Sequence, residues 1–169
     1  GDPEYKRCLE IIKVKEIPFE TVSAGQFIEL DPDITVKVLN PPENFKFGDA
    51  NNNSVGLKVT YRDFSIILAG DAEMEAENFM LSKFRSDLRA SVLKANHHGS
   101  RTSSTAGFMN AVRPEVAVIS CGRNNQFGHP HPEVVSRYRK YDCQVYRTDY
   151  DGNVTIVTNG FNFKVTTSK

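Results

Sequence analysis

Near the start of the chain Leu9, Ile12 and Lys13, two apolar residues and one amphipathic one, lie at helical spacing, and Pro18 ends any helix that begins there. This spacing predicts one short helix over 5–15. The pattern then changes to β-branched and aromatic runs at 19–22 (FETV), 34–40 (ITVKVLN), 54–61 (SVGLKVTY) and 64–70 (FSIILAG), parted by clusters of Gly, Pro, Asp and Asn. These read as strands, the last two joined by a tight turn at Arg62-Asp63. From Glu73 the period lengthens again: Ala76, Met80 and Phe84 lie four residues apart, and Asp71 stands where a helix N-cap would. The alternation continues with a strand at 91–95, a helix at 104–112 capped by Ser103 or Ser104, a strand at 116–121 and a helix at 133–141 with Val134, Tyr138 and Tyr141 on one face. Strands at 144–148, 154–158 and 161–166 follow, the last two as a hairpin across Asn159-Gly160. Strands alternating with helices and a terminal hairpin predict an α/β (α+β) fold, a mixed sheet flanked by helices. No internal repeat or low-complexity linker interrupts it.

Composition narrows the picture only a little. The 169 residues are the size of one domain, and 39% hydrophobic with 25% charged residues is the balance of a folding chain. Lys+Arg and Asp+Glu number 21 each, so no global field draws the chain to a polyanion, and any such contact must be local. No apolar run is long enough to span a membrane, and no signal peptide is evident in the abrupt polar start at Gly1-Asp2-Pro3. Cys8, Cys121 and Cys143 have neither CxxC spacing nor an even count, so they read as buried free thiols.

The candidate chemistry sits at the ends of predicted strands. Asn51-Asn52-Asn53-Ser54, Gly70-Asp71, Asn96-His97-His98-Gly99-Ser100 and Gly128-His129-Pro130-His131 all fall in such loops, and the four histidines occupy only two of them. Strand-end loops converge on one rim in α/β proteins, and sites are built there. Asp71 leaves a buried strand after a glycine; its carboxylate could bridge two cations or simply cap the following helix. His97 and His98 read as a metal ligand beside a substrate-facing imidazole, or as two hydrogen-bonded loop residues. Ser100 and Arg101 lead a hydroxyl-rich run into a helix N-terminus, which suits a phosphate as well as it suits a cap. His129 could be a general acid, and His131 a pocket or turn residue.

Three stretches match a known family. NNNSVGLKVTYRDFSIILAGDAEMEAE, VLKANHHGSRTSS and the run from RPEVAVISCGRNNQFGHPHPEVV to RTDYDGNVTI resemble the metallo-β-lactamase domain of ComEC-type competence (DNA-uptake) proteins and their free-standing relatives, over about residues 5–158. The resemblance implies an αββα sandwich with a two-metal rim site, usually zinc with manganese as an alternative, hydrolysing phosphodiesters such as DNA through a metal-activated hydroxide. By the same comparison Asp71 bridges the metals, His98 is a ligand, and His97, Arg101, Asn53, Ser54 and His129 line the substrate pocket; His97 and His129 are taken as its catalytic pair, and Ser100 and His131 join the substrate-binding set from their own loops.

One departure matters. The family's HxHxDH motif is absent, since no histidine precedes His97. Asp71 and His98 cannot supply the roughly three ligands per ion that a catalytic zinc needs. The expectation is therefore a single partial domain, 1–169, the C-terminal portion of such a sandwich, with an incomplete metal site and a missing N-terminal half as its partner. An uncovered sheet face rich in Val, Ile and Phe would then favour a dimer. Location follows the parent: outside the cytoplasmic membrane or secreted for a ComEC-type protein, cytoplasmic for a free-standing one. The alternative function is a non-catalytic nucleotide- or protein-binding module on the same fold.

Overall fold

A computed structural model describes residues 3–169; Gly1 and Asp2 lie outside the described residues. Helix α1 (Pro3–Val14) buries no residue, so its Cys8 thiol is exposed where the sequence suggests a buried one, whereas Cys143 is buried as expected. A seven-stranded sheet follows in chain order: β1 (Phe27–Asp31), β2 (Ile34–Asn40), β3 (Gly56–Tyr61), β4 (Phe64–Leu68), β5 (Val92–Lys94), β6 (Val116–Ile119) and β7 (Gln144–Arg147). The first four pair antiparallel and β4 to β7 pair parallel, so the sheet is mixed. Helices α2 (Met74–Phe84), α3 (Ala106–Val112) and α4 (Pro132–Lys140) are the crossovers between the parallel strands. Right-handed crossovers made in one direction place all three on one face. That face holds the core: Ile67, Leu93, Ala117 and Ile119 of the strands pack with Met80, Phe84, Phe108, Met109, Val134 and Tyr138 of the helices.

Along β4 the buried Ser65 and Ile67 alternate with the half-buried Phe64, Ile66 and Leu68, so the second set points to the opposite face. The register there aligns Val36, Val59, Ile66, Val92 and Val116 in one row. This face is less open than the sequence suggests. Val36, Val38 and Val92 are at most 1% exposed and the neighbouring apolar residues are half-buried. A separate hairpin of β8 (Val154–Thr158) and β9 (Phe163–Thr167) lies on this side, where Phe163 meets Phe64 at 5.5 Å between ring centroids. Gly160 O accepts bonds from the amides of Asp63 and Phe64, tying the hairpin tip to the β3–β4 turn.

Four further local expectations need correction. Residues 19–22 are not a strand; the edge strand is β1, five residues further on. The hairpin turns across Asn159–Asn162, because Asn159 Oδ1 accepts the amides of Phe161 and Asn162 and so favours a longer loop than Asn-Gly alone. Helix α3 is capped by the Thr105 hydroxyl, which accepts from Phe108 N, and not by Ser103 or Ser104. Asp71 does not cap α2. Asn52, buried in the 41–55 loop, accepts from the amides of Glu73 and Ala76 and satisfies that helix end from outside.

Candidate functional site

Because β4, β5, β6 and β7 run parallel, their C-terminal ends share one rim, and the loop between β2 and β3 arrives at the same edge. Gly70 and Asp71 leave β4 there. Gly70 has φ +56°, and a Cβ on it would meet Ser54 Cβ at 2.9 Å, so only glycine lets the two loops approach. Ser54 Oγ in turn accepts from Asp71 N at 3.1 Å. With the helix end satisfied by Asn52, the Asp71 carboxylate is left facing the rim.

The loop after β5 is a short 3-10 turn, Asn96–Gly99, in which His97 and His98 both take left-handed backbone angles (φ 46° and 53°). Such angles cost free energy in non-glycine residues and persist where the surroundings impose them. Here the cause is visible. His97 N donates to Gly70 O at 3.0 Å, and Ser103 Oγ donates to Asn96 O at 2.8 Å. Below the loop lies Glu77, a fully buried carboxylate on the core face of α2, which accepts from Asn96 Nδ2 and the amides of Ser104 and Thr105. Burial pushes the Glu77 carboxyl above the usual glutamate range, and these hydrogen bonds oppose that shift. Tyr138 OH, also buried, pairs with Ser104 Oγ at 2.6 Å and extends the network to α4.

His98 and Asp71 form the most informative pair. His98 Nδ1 lies 2.6 Å from Ser120 O, a carbonyl that only accepts, so Nδ1 carries the proton and donates. In the neutral ring Nε2 then presents a lone pair, and it faces Asp71 Oδ1 at 3.4 Å. Two acceptors at that separation are reconciled either by a proton on Nε2, which makes an ion pair, or by a metal cation beside them. Ligands of a tetrahedral ion at about 2.1 Å lie roughly 3.4 Å apart, and a metal-bound histidine commonly donates its other N–H to a carbonyl. The pair therefore fits two positions of a metal's ligand shell. Among the described residues, no group of three or more His, Cys, Asp or Glu side chains is arranged to hold an ion, so the set is not closed.

His97 points to a different carboxylate. Its Nδ1 is 2.9 Å from Glu73 Oε1 but is not aligned for a hydrogen bond with it, and has no other partner. His129 joins from the loop after β6: its ring centroid is 5.4 Å from that of His97 and 5.0 Å from that of His131, and it stacks with His98 at 6.4 Å. Burial lowers the pKa of His129, helped by the charges of His131, His97 and His98 and opposed by Asp71, so the ring is neutral at pH 7. Lys94, half-buried at the end of β5, has its pKa lowered by burial and raised in part by Asp71.

The other expected site residues are placed less directly. Asn53 braces its own loop through Phe47 and Asp49, and Ser100 is buried with its Oγ against Thr102 Oγ1. His131 Nδ1 accepts from Arg101 N, while the Arg101 side chain reaches toward Glu133 at 3.7 Å and stays exposed. The amides of Ser104 and Thr105, expected to receive a phosphate, are taken by Glu77. Glu73, Glu77 and Lys94 were not singled out by sequence, and Asn52 only as one polar residue of its loop. Glu77 had a signal, since it shares the apolar stripe of Ala76, Met80 and Phe84.

No protein-family model matches the chain. Curated relatives do. The chain is 32% identical over 154 residues to ComE operon protein 3 of Bacillus subtilis, covering 91% of this chain and 20% of the relative. It is 35% identical over 119 residues to competence protein ComA of Neisseria gonorrhoeae, covering 70% of this chain and 17% of the relative. It is also 35% identical over 115 residues to recombination protein 2 of Haemophilus influenzae, covering 68% of this chain and 14% of the relative. The chain thus spans a fifth or less of the length of these relatives, and it is a homologue of one segment of such competence-type proteins.

Proposed function

We propose that the chain is the C-terminal portion of a metallo-β-lactamase-type hydrolase that cleaves phosphodiester bonds, with a role in DNA uptake. The observation that carries this reading is the opposition of His98 Nε2 and Asp71 Oδ1, two lone-pair donors fixed 3.4 Å apart at a strand-end rim. Asp71 and His98 would hold a divalent ion such as zinc or manganese, with further ligands supplied from outside this sequence. The ion, when bound, activates water and offsets charge on the phosphoryl oxygens. The chain's own residues do the rest. Ser120 O fixes the His98 ring. His97, beside Glu73 and His129, lies within the ring cluster where a substrate oxygen would enter. His129 would take the proton that the attacking water loses; an anionic phosphoryl group beside it raises its pKa, so the same proton can pass on to the leaving oxygen.

The test uses the longest natural protein that contains this chain. Asp71→Asn and His98→Ala should lose metal and phosphodiester hydrolysis together. His129→Ala should keep its metal and lose roughly 100-fold in rate. No hydrolysis by the wild type, with metal content indifferent to both ligand substitutions, would replace this reading by a non-catalytic binding module.

A further inference from the structure

Phe127 is out of place for a buried-core aromatic. It lies in the loop after β6, is 66% exposed, and stands beside the histidine cluster. Its ring is nearly parallel to that of His129, with 24° between planes and 5.7 Å between centroids, and His129 is nearly parallel to His98 at 23°. The three rings are thus nearly parallel, from the imidazole facing Asp71 through His129 to the exposed Phe127. The outer face of that last ring has no partner ring among the described residues.

Beside these rings is a cavity of about 280 Å3 lined by His98, Ser120, Cys121, Asn125, Phe127 and His129. It is at the small end of the range for ligand sites, room for a single ring system. Part of its polar lining is already engaged. Asn125 donates to Gly122 O and His129 O and accepts from His129 N, and Ser120 O receives His98 Nδ1. The Cys121 thiol interacts with Asp149 and is raised in pKa, chiefly by burial. A flat ring could be held here by stacking, with few groups left to read its edge.

We infer that Phe127 is a stacking platform for a nucleobase next to the phosphodiester that reaches Asp71 and His98. This rests on the hydrolase reading for the position of the phosphodiester, and on the ring arrangement alone for the base. Base–aromatic stacking is tolerant of base identity because every base offers a π-face. The platform should therefore strengthen binding of single-stranded nucleic acid without sequence preference.

The experiment compares binding of the chain to a labelled single-stranded oligodeoxynucleotide and to an abasic strand of the same length, by fluorescence anisotropy at low salt. The wild type should bind the base-bearing strand roughly tenfold more tightly. Phe127→Ala should lose that advantage and bind both strands alike, and Phe127→Tyr should restore it. Equal binding of the two strands by the wild type, an advantage that survives in Phe127→Ala, or no binding of either strand would overturn the platform. Asp71→Asn, with hydrolysis and binding both measured in the longer natural protein that contains this chain, separates the two claims. A base advantage that persists when hydrolysis is absent in every variant sinks the hydrolase reading and leaves the platform standing; hydrolysis that needs Asp71 without any base advantage does the reverse.

Discussion

The loops after β5 and β6 each bring two histidines to one rim, yet they are anchored in opposite ways. The first rests on the core: Glu77, fully buried, grips Asn96, Ser104 and Thr105, and Gly70 and Ser103 tie down the turn above it. The second rests on the surface. Half-buried Asn125 bonds back to its own loop at Gly122 and His129, and His131 accepts the Arg101 amide from the first loop. A core anchor can hold His97 and His98 in left-handed geometry, which suits a ligand that must meet Asp71 at a fixed distance. A surface anchor leaves Phe127 and His129 at the solvent edge, which suits groups that meet substrate.

The comparison breaks first at Glu77. Glu77→Ala leaves two buried donors and one half-buried donor without their acceptor, and should destabilise the chain by about 3 kcal/mol or more, read from the urea midpoint. A loss below about 1 kcal/mol would mean the first loop is not anchored through the core. Gly99→Ala comes next. At φ +79° a Cβ would sit 2.7 Å from Pro130 Cβ, where the two loops touch, and about 1–3 kcal/mol should be lost with shifts in the histidine ring resonances of both loops.

Asn125→Ala should cost only about 1 kcal/mol and change exchange protection in the second loop alone. Protection lost equally in the first loop would erase the distinction. The smallest effect is the pH dependence of Glu77. Its raised pKa means the folded state keeps that proton to higher pH than the unfolded state. Its contribution to stability is thus greatest below the ordinary glutamate range and falls as pH rises through the raised value. Urea midpoints from about pH 4 to about pH 7 should show this slope, and Glu77→Gln should remove it.

Sequence was informative where one rule dominated. The 3.6-residue period gave α2, and apolar runs bounded by turn residues gave β2 to β7. Strand ends placed all four histidines and Asp71 at one rim. It was misleading where a side chain from a distant segment took over a local task. Asp71 stands in a good capping position, but Asn52 reaches in from the preceding loop and caps α2 instead. The amides after Ser103 look ready for a phosphate, but Glu77 from another element occupies them. Residues 19–22 have strand propensity without a neighbouring strand to pair with, and propensity alone does not make a ladder. The left-handed turn at His97-His98 was illegible because neither residue type predicts it; it follows from the bonds to Gly70 and Ser103.

The central claim is that Asp71 and His98 are two ligands of one ion, and histidine ring resonances followed through a zinc titration of the chain test it most directly. The account predicts weak binding in which His98 Nε2 is the first ring nitrogen to shift, and in which Asp71→Asn abolishes that shift while leaving the Nδ1 bond to Ser120 O in place. Zinc that perturbs His97 or His131 first, or that shifts His98 equally in wild type and Asp71→Asn, would contradict it.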